Sequence, residues 1–345
     1  MRSSIPVAVL GALAVSLVLG ATPIELCNGV ACVVAIGVWR RDPRVPAEVF
    51  APTLAVLLGL FAFVDHPRFD VDATIRQAWA WSTALVVPIL VSVPGADRAV
   101  RPGLAAAALA GLAAVFQGLW GLGHGGWGEP SALFSHHLTL GYALGPAVIV
   151  AAARRDLLGL PIALGVLASA GWGPALAAAA GSMIALVAPA VSRPRAAAGG
   201  VLVAAVATAL AMLRLPFFSD EVRQRAVLWT AGADLAVHGG VPAGSWRAEV
   251  APVHRSLDPS FEFPQHSHDD AIQRLAELGP FGWTALAAAV ALAFEAGAVV
   301  PMALVAWLVV GGLTQDVLGD MEVLRSALVW AALGTIAADR GREGS

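Results

Sequence analysis

The sequence predicts an all-α, polytopic membrane protein with about 12 transmembrane helices. Its 345 residues are 58% apolar and only 13% charged, and the mean hydropathy is +0.75. This composition leaves too few polar side chains to cover the surface of a soluble domain. The apolar runs are continuous rather than alternating, which favours helices over a closed β-barrel, because a helix satisfies its own backbone hydrogen bonds in lipid.

The predicted spans are apolar runs of roughly the 17 to 25 residues that cross a bilayer. We place them at 5–22, 25–39, 48–64, 74–93, 103–121, 136–153, 157–171, 174–190, 196–214, 281–298, 300–314 and 323–338. The first run resembles a secretory signal, but no small-residue cleavage site follows it, so we interpret it as the first membrane helix. The short pair at 157–190 requires a turn near Gly171 to Pro174, and one re-entrant element in its place would leave the orientation of the other spans unchanged.

Arginine clusters predict the orientation, because short loops rich in arginine stay cytoplasmic. Five clusters fall on one side of the predicted spans: Arg40, Arg41 and Arg44; Arg98 and Arg101; Arg154 and Arg155; Arg193 and Arg195; and Arg340 and Arg342. We therefore expect a bacterial inner-membrane protein with both termini in the cytoplasm. Its parts would be helices 1 to 9 in residues 1–216, a helical periplasmic loop in 217–279, and helices 10 to 12 in 280–345.

The long hydrophilic loop carries the strongest local signals. Ser219 is a helix start, with acidic residues in the first turn, and we predict a helix from there to about His238. One face of it would carry Arg225 and Trp229 one turn apart. The glycine-rich run 239–244 ends this helix. We then expect an irregular stretch up to Pro264 that carries Trp246, Arg247, His254 and Arg255.

A second helix is predicted to begin at Ser267, which forms a capping box with Asp270, and to stop at Gly279. His268 lies in its first turn. The helix N-terminus disfavours an imidazolium there, whereas Asp269 and Asp270 favour it. We expect a histidine that accepts a proton near neutral pH, as a general base requires.

Two passages resemble the shared domain of the O-antigen ligase and O-antigen polymerase superfamily. Arg225-Ala226-Val227-Leu228-Trp229 is similar to the R-x-x-x-W element at the start of that family's large periplasmic loop. The run from His268 to Gly282 is similar to its H-N-x-x-L-x-x-x-x-E-x-G-x-x-G sequence, and residues 133–139 resemble a segment that opens an earlier helix. The likeness covers Leu133 to Gly282 in detail and the remainder by architecture only.

The resemblance implies a GT-C-like, metal-independent membrane glycosyltransferase without a cofactor. It would take a glycan from undecaprenyl pyrophosphate and transfer it to a lipid A-core or a growing glycan, with no nucleic-acid partner. His268 would be the base that activates the acceptor hydroxyl. Arg225 would hold the donor's diphosphate, which a guanidinium grips bidentately without a metal. The remaining substrate-binding candidates are Trp229, Arg247, Arg255, His266, His136 and His137.

The sequence departs from the family pattern at three positions. The asparagine that follows the family's histidine is Asp269 here, and an arginine found earlier in the family is matched by Glu129. A further arginine, usual near the seventh and eighth spans, is missing in the region of Trp172. Arg247 or Arg255 would have to substitute for these cations.

Other motifs admit alternative interpretations. The run His266-Ser267-His268-Asp269-Asp270 offers zinc ligands, but Ala271 stands where the common pattern needs a histidine. Asp70-Val71-Asp72 has the D-x-D form of metal-dependent glycosyltransferases, and a solvated loop explains it better. Cys27 and Cys32 lie on different faces of a helix, so we interpret them as buried thiols rather than as a disulfide, metal or redox pair.

A transporter or flippase of lipid-linked saccharide is the competing class. Ion-coupled transporters hold ionisable groups near the middle of the membrane. Arg76 and Glu295 instead lie toward the ends of predicted spans. The pattern therefore favours the transferase, and it does not distinguish a ligase from a polymerase.

Overall fold

A computed structural model of the chain describes residues 4–40, 47–122, 131–134, 136–169, 171–212, 219–257, 276–277, 298–313, 317 and 320–343. All regular structure in these residues is helical, as the composition predicts. The helices are α1 (Ser4–Ser16), α2 (Ala21–Trp39), α3 (Ala47–Phe61), α4 (Val71–Val91), α5 (Val100–Trp120), α6 (His137–Arg154), α7 (Gly159–Ala168), α8 (Trp172–Val187), α9 (Pro194–Met212), α10 (Ser219–Val237), α11 (Trp246–Leu257), α12 (Val299–Gly312) and α13 (Met321–Glu343), with short 3-10 turns at Ala96–Ala99 and Ala188–Ala190.

The apolar helices follow the predicted spans closely, with one clear difference at the first. α1 ends at Ser16 rather than near residue 22, because the chain turns at Gly20, whose φ of 89° is in the left-handed region that favours glycine. The short pair at 157–190 is two separate helices, α7 and α8, as predicted. The predicted span at 281–298 lies outside the described residues, apart from residue 298.

The exposed faces of these helices are those of a membrane protein. Within the described part of the chain, three helices are long and apolar enough to cross a bilayer: Ala21–Trp39, Ala96–Trp120 and Trp172–Ala190. Large apolar side chains such as Val33, Leu119 and Leu160 are mostly exposed. Many large apolar side chains exposed in this way fit lipid better than water. The number of spans and the GT-C arrangement stay predictions.

α6 is the central helix of the bundle. Every residue from 140 to 151 is buried, as expected of a helix that is apolar all round. It packs against α7, α8, α12 and α13. The ring of Tyr142 meets that of Trp307 edge to face, with centroids 6.4 Å apart, so aromatic packing joins α6 to α12.

The helices α5 and α7 cross at two glycines. A Cβ atom built on Gly165 would overlap the backbone of Gly111, and one built on Gly111 would overlap the carbonyl oxygen of Pro161. Small residues let helix backbones approach closely in a membrane, where packing replaces the hydrophobic effect as the force between helices. The crossing of α5 and α7 therefore depends on the missing side chains.

We expect Gly165→Ala to destabilise the protein by about 1–3 kcal/mol, the usual cost of overpacking. The matched control is Gly199→Ala in α9, where a Cβ atom meets nothing within 4 Å. Thermal unfolding in detergent should show a lower Tm for Gly165→Ala and an unchanged or raised Tm for Gly199→Ala. Equal Tm values for the two variants would contradict the close crossing.

An ion pair joins the second helix to the last. Arg325 of α13 is 1% exposed and donates from its two terminal nitrogens to both carboxylate oxygens of Glu25 in α2, at 2.7 and 3.1 Å. The indole N–H of Trp79 in α4 also donates to Glu25. One turn further along, the hydroxyl of Thr83 donates to the side chain of Asn28 at 3.2 Å. These bonds connect α2, α4 and α13.

Removal of one partner should show how much this ion pair stabilises the bundle. Glu25→Ala leaves the buried guanidinium of Arg325 without its carboxylate. Loss of an exposed pair costs about 1 kcal/mol, and loss of one partner of a fully buried pair costs about 3–5 kcal/mol. We expect the free energy of unfolding to fall by an amount between these values, because Glu25 is 39% exposed.

The double variant Glu25→Met with Arg325→Met removes both charges and keeps apolar volume. Its Tm in detergent should lie closer to that of the wild type than the Tm of Glu25→Ala does. A double variant that is less stable than the single variant would refute a simple pairing of the two charges.

The helices α2, α4, α6 and α13 all begin at one end of the bundle, which we call the site end. There the hydroxyl of Thr139 in α6 donates to Asp320, just before α13, at 2.7 Å. Gly20, before α2, lies against the carbonyl of Leu133. The turn between α3 and α4 and the long hydrophilic segment also lie at this end, since His66 and Arg68 contact Glu249.

Candidate functional site

The long hydrophilic segment begins with the predicted helix. α10 runs from Ser219 to Val237, close to the predicted 219–238. Within residues 226–237 of this helix, Leu228, Ala231 and Gly232 are buried. Arg225 lies on this helix one turn before Trp229, as predicted.

A glycine turn follows α10. Gly239, Gly240 and Gly244 have φ values of 106°, 88° and 82°, a conformation that glycine adopts without steric cost. The N–H of Gly240 donates to the carbonyl of Leu235 at 3.0 Å, which satisfies an orphan carbonyl at the end of α10. The predicted break at 239–244 is confirmed.

The predicted irregular stretch after this turn was wrong for residues 246–257, which form α11. Trp246, Val250 and Val253 recur at helical spacing and make an apolar stripe that packs against α10. Pro252 lies inside the helix, where it removes one backbone donor, and this residue obscures the helical pattern in the sequence. The packing of this apolar stripe against α10 outweighs the cost of the backbone hydrogen bond that is lost at Pro252.

The helix α11 changes the structural setting of the arginine candidates. Arg247 is the second residue of α11, and Arg255 is an exposed residue near its end. His254 also belongs to this helix. Because α10 and α11 pack against each other, Arg225 and Arg247 belong to one folded element rather than to a helix and a loop.

Two residues of the second predicted helix, Ala276 and Glu277, are described, and both are helical. Ala276 is buried in a cluster with Leu228, Trp246 and Val250. Its carbonyl accepts the N–H of Val241 at 2.6 Å. Ala276 and Glu277, two residues of the run from His268 to Gly282, therefore belong to the same folded element as α10 and α11.

We call residues 219–257 and 276–277 the hydrophilic unit, and it sits on the turn between α3 and α4. Ala243 packs with Val56 and Leu60 of α3. The carboxylate of Glu249 lies 3.4 Å from the guanidinium of Arg68 and 3.9 Å from the ring of His66. Contacts with the first third of the chain thus position the unit. Nothing in the local sequence of residues 62–70 predicts these contacts.

The proposed substrate-binding residues fall into separate places. Trp229 is half-buried, and its indole nitrogen has no hydrogen-bond acceptor among the described residues. His136 is exposed and caps α6, where its Nδ1 accepts the N–H of Leu138 at 3.2 Å. His137 is the first residue of α6. Both histidines belong to the helical bundle rather than to the hydrophilic unit.

His266 and His268 lie outside the described residues, so their roles stay predictions. Glu129 also lies outside them, whereas Trp172 begins α8 and is 71% exposed. The described residues of the hydrophilic unit include four arginines, at 223, 225, 247 and 255, and two histidines, at 238 and 254. Three of these arginines, Arg225, Arg247 and Arg255, are the predicted diphosphate-binding residues.

The alternative motifs have ordinary structural roles. Asp70 caps α4, with its Oδ1 accepting the N–H of Ala73 at 2.9 Å. Asp72 lies in the first turn of α4. An acidic side chain is stabilising there, because the helix N-terminus carries partial positive charge. Cys27 and Cys32 are both free and half-buried, which agrees with their interpretation as thiols packed in the bundle.

The fold and the site define a helical membrane protein whose longest hydrophilic segment is a folded unit at one end of the bundle. Comparison with known protein families and with curated proteins gives no match for the chain.

A charge swap tests how the hydrophilic unit is held. Arg68→Glu places two carboxylates together at Glu249, and Glu249→Arg places two guanidiniums together at Arg68. We expect each single variant to weaken the contact by about 1 kcal/mol, as for an exposed pair, and to speed hydrogen exchange of α11 about fivefold. The double variant restores the pair and should restore slow exchange.

The control for this experiment is Asp234→Arg, because Asp234 pairs with His238, just after the end of α10. Exchange of α11 should not change in that variant. A double variant that exchanges as fast as the two single variants would contradict the contact between Arg68 and Glu249.

Proposed function

We propose that the protein is a metal-independent glycosyltransferase at the periplasmic face of the bacterial inner membrane. It transfers a glycan from undecaprenyl pyrophosphate to a lipid A-core or to a growing polysaccharide. One observation supports this function most: Ala276 packs against Leu228 and Trp246. That contact unites the passage that carries Arg225 with the run that begins at His268, the two passages that resemble the ligase and polymerase superfamily.

The donor's diphosphate requires positive charge, and the hydrophilic unit supplies it from arginines on two packed helices. Arg225 lies on α10, whereas Arg247 and Arg255 lie on α11. Guanidiniums bind phosphate oxygens bidentately and stay charged at any physiological pH. In this role they replace the metal ion that many diphosphate-using enzymes need. Trp229, one turn from Arg225, borders the same face and would contact the glycan or the diphosphate.

His268 acts as the general base in the proposed reaction. The acceptor hydroxyl oxygen forms a bond to the anomeric carbon of the donor glycan, and its proton passes to the imidazole. The bond between that carbon and the diphosphate oxygen breaks, and undecaprenyl pyrophosphate leaves. Arg225 stabilises the negative charge that develops on the leaving group.

The position of the hydrophilic unit suits a donor held in a bilayer. The unit contacts the α3–α4 turn at the site end of a bundle with exposed apolar faces. A polyisoprenoid chain can remain in the lipid beside these faces while its diphosphate reaches the unit. His136 and His137, at the start of α6 on the same end, would extend the site toward the acceptor. Membrane lipids complete the set of partners.

The transfer reaction provides the direct test. Purified protein in lipid nanodiscs is incubated with undecaprenyl-pyrophosphate glycan and candidate acceptors, with and without EDTA. We expect His268→Ala to lower transfer by 10²- to 10⁴-fold, the usual contribution of a general base, and Arg225→Ala to lower it by a similar order through weaker leaving-group stabilisation. EDTA should have no effect.

The matched control is His238→Ala, because His238 is an exposed histidine at the end of α10 that pairs with Asp234. It should transfer at the wild-type rate. Retained transfer by His268→Ala would exclude that residue as the base, and loss of transfer with EDTA would favour a metal enzyme. Movement of intact lipid-linked glycan across the membrane, without release of undecaprenyl pyrophosphate, would favour a transporter or flippase instead.

A further inference from the structure

Glu277 is a buried carboxylate in the hydrophilic unit to which the proposed reaction assigns no task. It is 2% exposed, and a buried carboxylate is costly unless hydrogen bonds compensate for lost water. Its Oε1 accepts the backbone N–H of Gly244 at 3.3 Å. The preceding residue, Ala276, accepts the N–H of Val241 at 2.6 Å. Two consecutive residues therefore hold both ends of the run 241–244.

This run is the joint between the two helices that carry the arginines. α10 ends just before it and α11 begins just after it. Gly240 and Gly244 have left-handed φ values, and glycine loses more backbone freedom on ordering than any other residue. Ordering costs about 1–2 kcal/mol per residue, so a glycine turn needs partners to hold one conformation. Glu277 and Ala276 are such partners.

The turn also packs against the helical bundle. A Cβ atom on Gly244 would lie 2.8 Å from the Cβ of Ala73 in α4. Ala243 is fully buried and packs with Val56 and Leu60 of α3. The turn thus contacts Glu277 and the α3–α4 pair, while Gly244 itself is exposed. The Glu277 side chain therefore reaches a turn that is also held by its packing on the bundle.

We propose that Glu277 is a positioning residue: through the Gly244 amide it fixes the angle between α10 and α11, so that their arginines meet one diphosphate together. This inference rests on the proposed glycosyl transfer, and it assigns Glu277 no contact with substrate and no proton transfer. A small error in the joint displaces Arg225 and Arg255 most, because they lie away from the joint on α10 and α11. Misplacement of this kind lowers the rate of a reaction that depends on orientation.

Two variants that differ in reach and in charge test the role. Glu277→Gln keeps the length of the side chain and an acceptor oxygen for Gly244. Glu277→Asp keeps the carboxylate but shortens the side chain by ~1.5 Å, which takes the 3.3 Å contact beyond hydrogen-bond range. The Gln variant should transfer within about threefold of the wild type. The Asp variant should lose at least about tenfold in kcat/KM.

Two further readouts separate positioning from a purely structural role. The KM for the lipid donor should rise in the Asp variant while the KM for the acceptor stays unchanged, because only the arginines that bind the diphosphate move. Hydrogen exchange of residues 239–246 should speed up about tenfold in the Asp variant and stay slow in the Gln variant. The matched control is Asp234→Ala, which removes a half-exposed carboxylate from α10 and should change neither readout.

Each other outcome overturns part of the inference. An active Asp variant beside an inactive Gln variant would mean that charge, not reach, is what the site uses. Loss of transfer with slow exchange of the turn would mean that Glu277 acts on the substrate directly. Absence of transfer by the wild type would refute the proposed function and the catalytic part of this role. In that case fast exchange in the Asp variant alone would still identify Glu277 as the residue that holds the turn.

Discussion

A bilayer offers no hydrogen-bond partners to a peptide backbone, and the whole structure depends on that constraint. Each apolar segment satisfies its own backbone as a helix, and the bundle can then be apolar both inside and outside. α6 shows the consequence for the interior, since it is buried on every side. α2, α5 and α7 show it for the exterior, since their exposed faces carry large apolar side chains.

The same constraint governs where charge can lie. Arg325 and Glu25 form a bidentate pair near the helix starts, with Glu25 still in partial contact with the exterior. A guanidinium buried without such a partner would carry a large desolvation cost. The pair therefore stabilises the bundle by joining α2 to α13, and it belongs to the scaffold rather than to the proposed site.

The hydrophilic unit has a second, smaller core of its own. It has too many polar residues for lipid, so it lies at the end of the bundle and builds its own core around Trp246. It docks through the apolar residue Ala243 and the charged residue Glu249 onto α3, α4 and the turn between them. The proposed chemistry needs this division of labour, because a rigid bundle can hold the lipid donor while a separate polar unit presents arginines to its diphosphate.

The sequence by itself determined the helical class, most helix bounds and α10, because hydropathy, capping and periodicity are local properties. It placed Arg225 and Trp229 on one helix correctly. It did not predict α11, because a proline such as Pro252 usually indicates the end of a helix. Only the tertiary structure decided that Arg325 meets Glu25, that Glu249 meets Arg68, and that Glu277 holds the turn at Gly244. These contacts join residues far apart in the chain, and such pairing follows from how helices pack rather than from any local pattern.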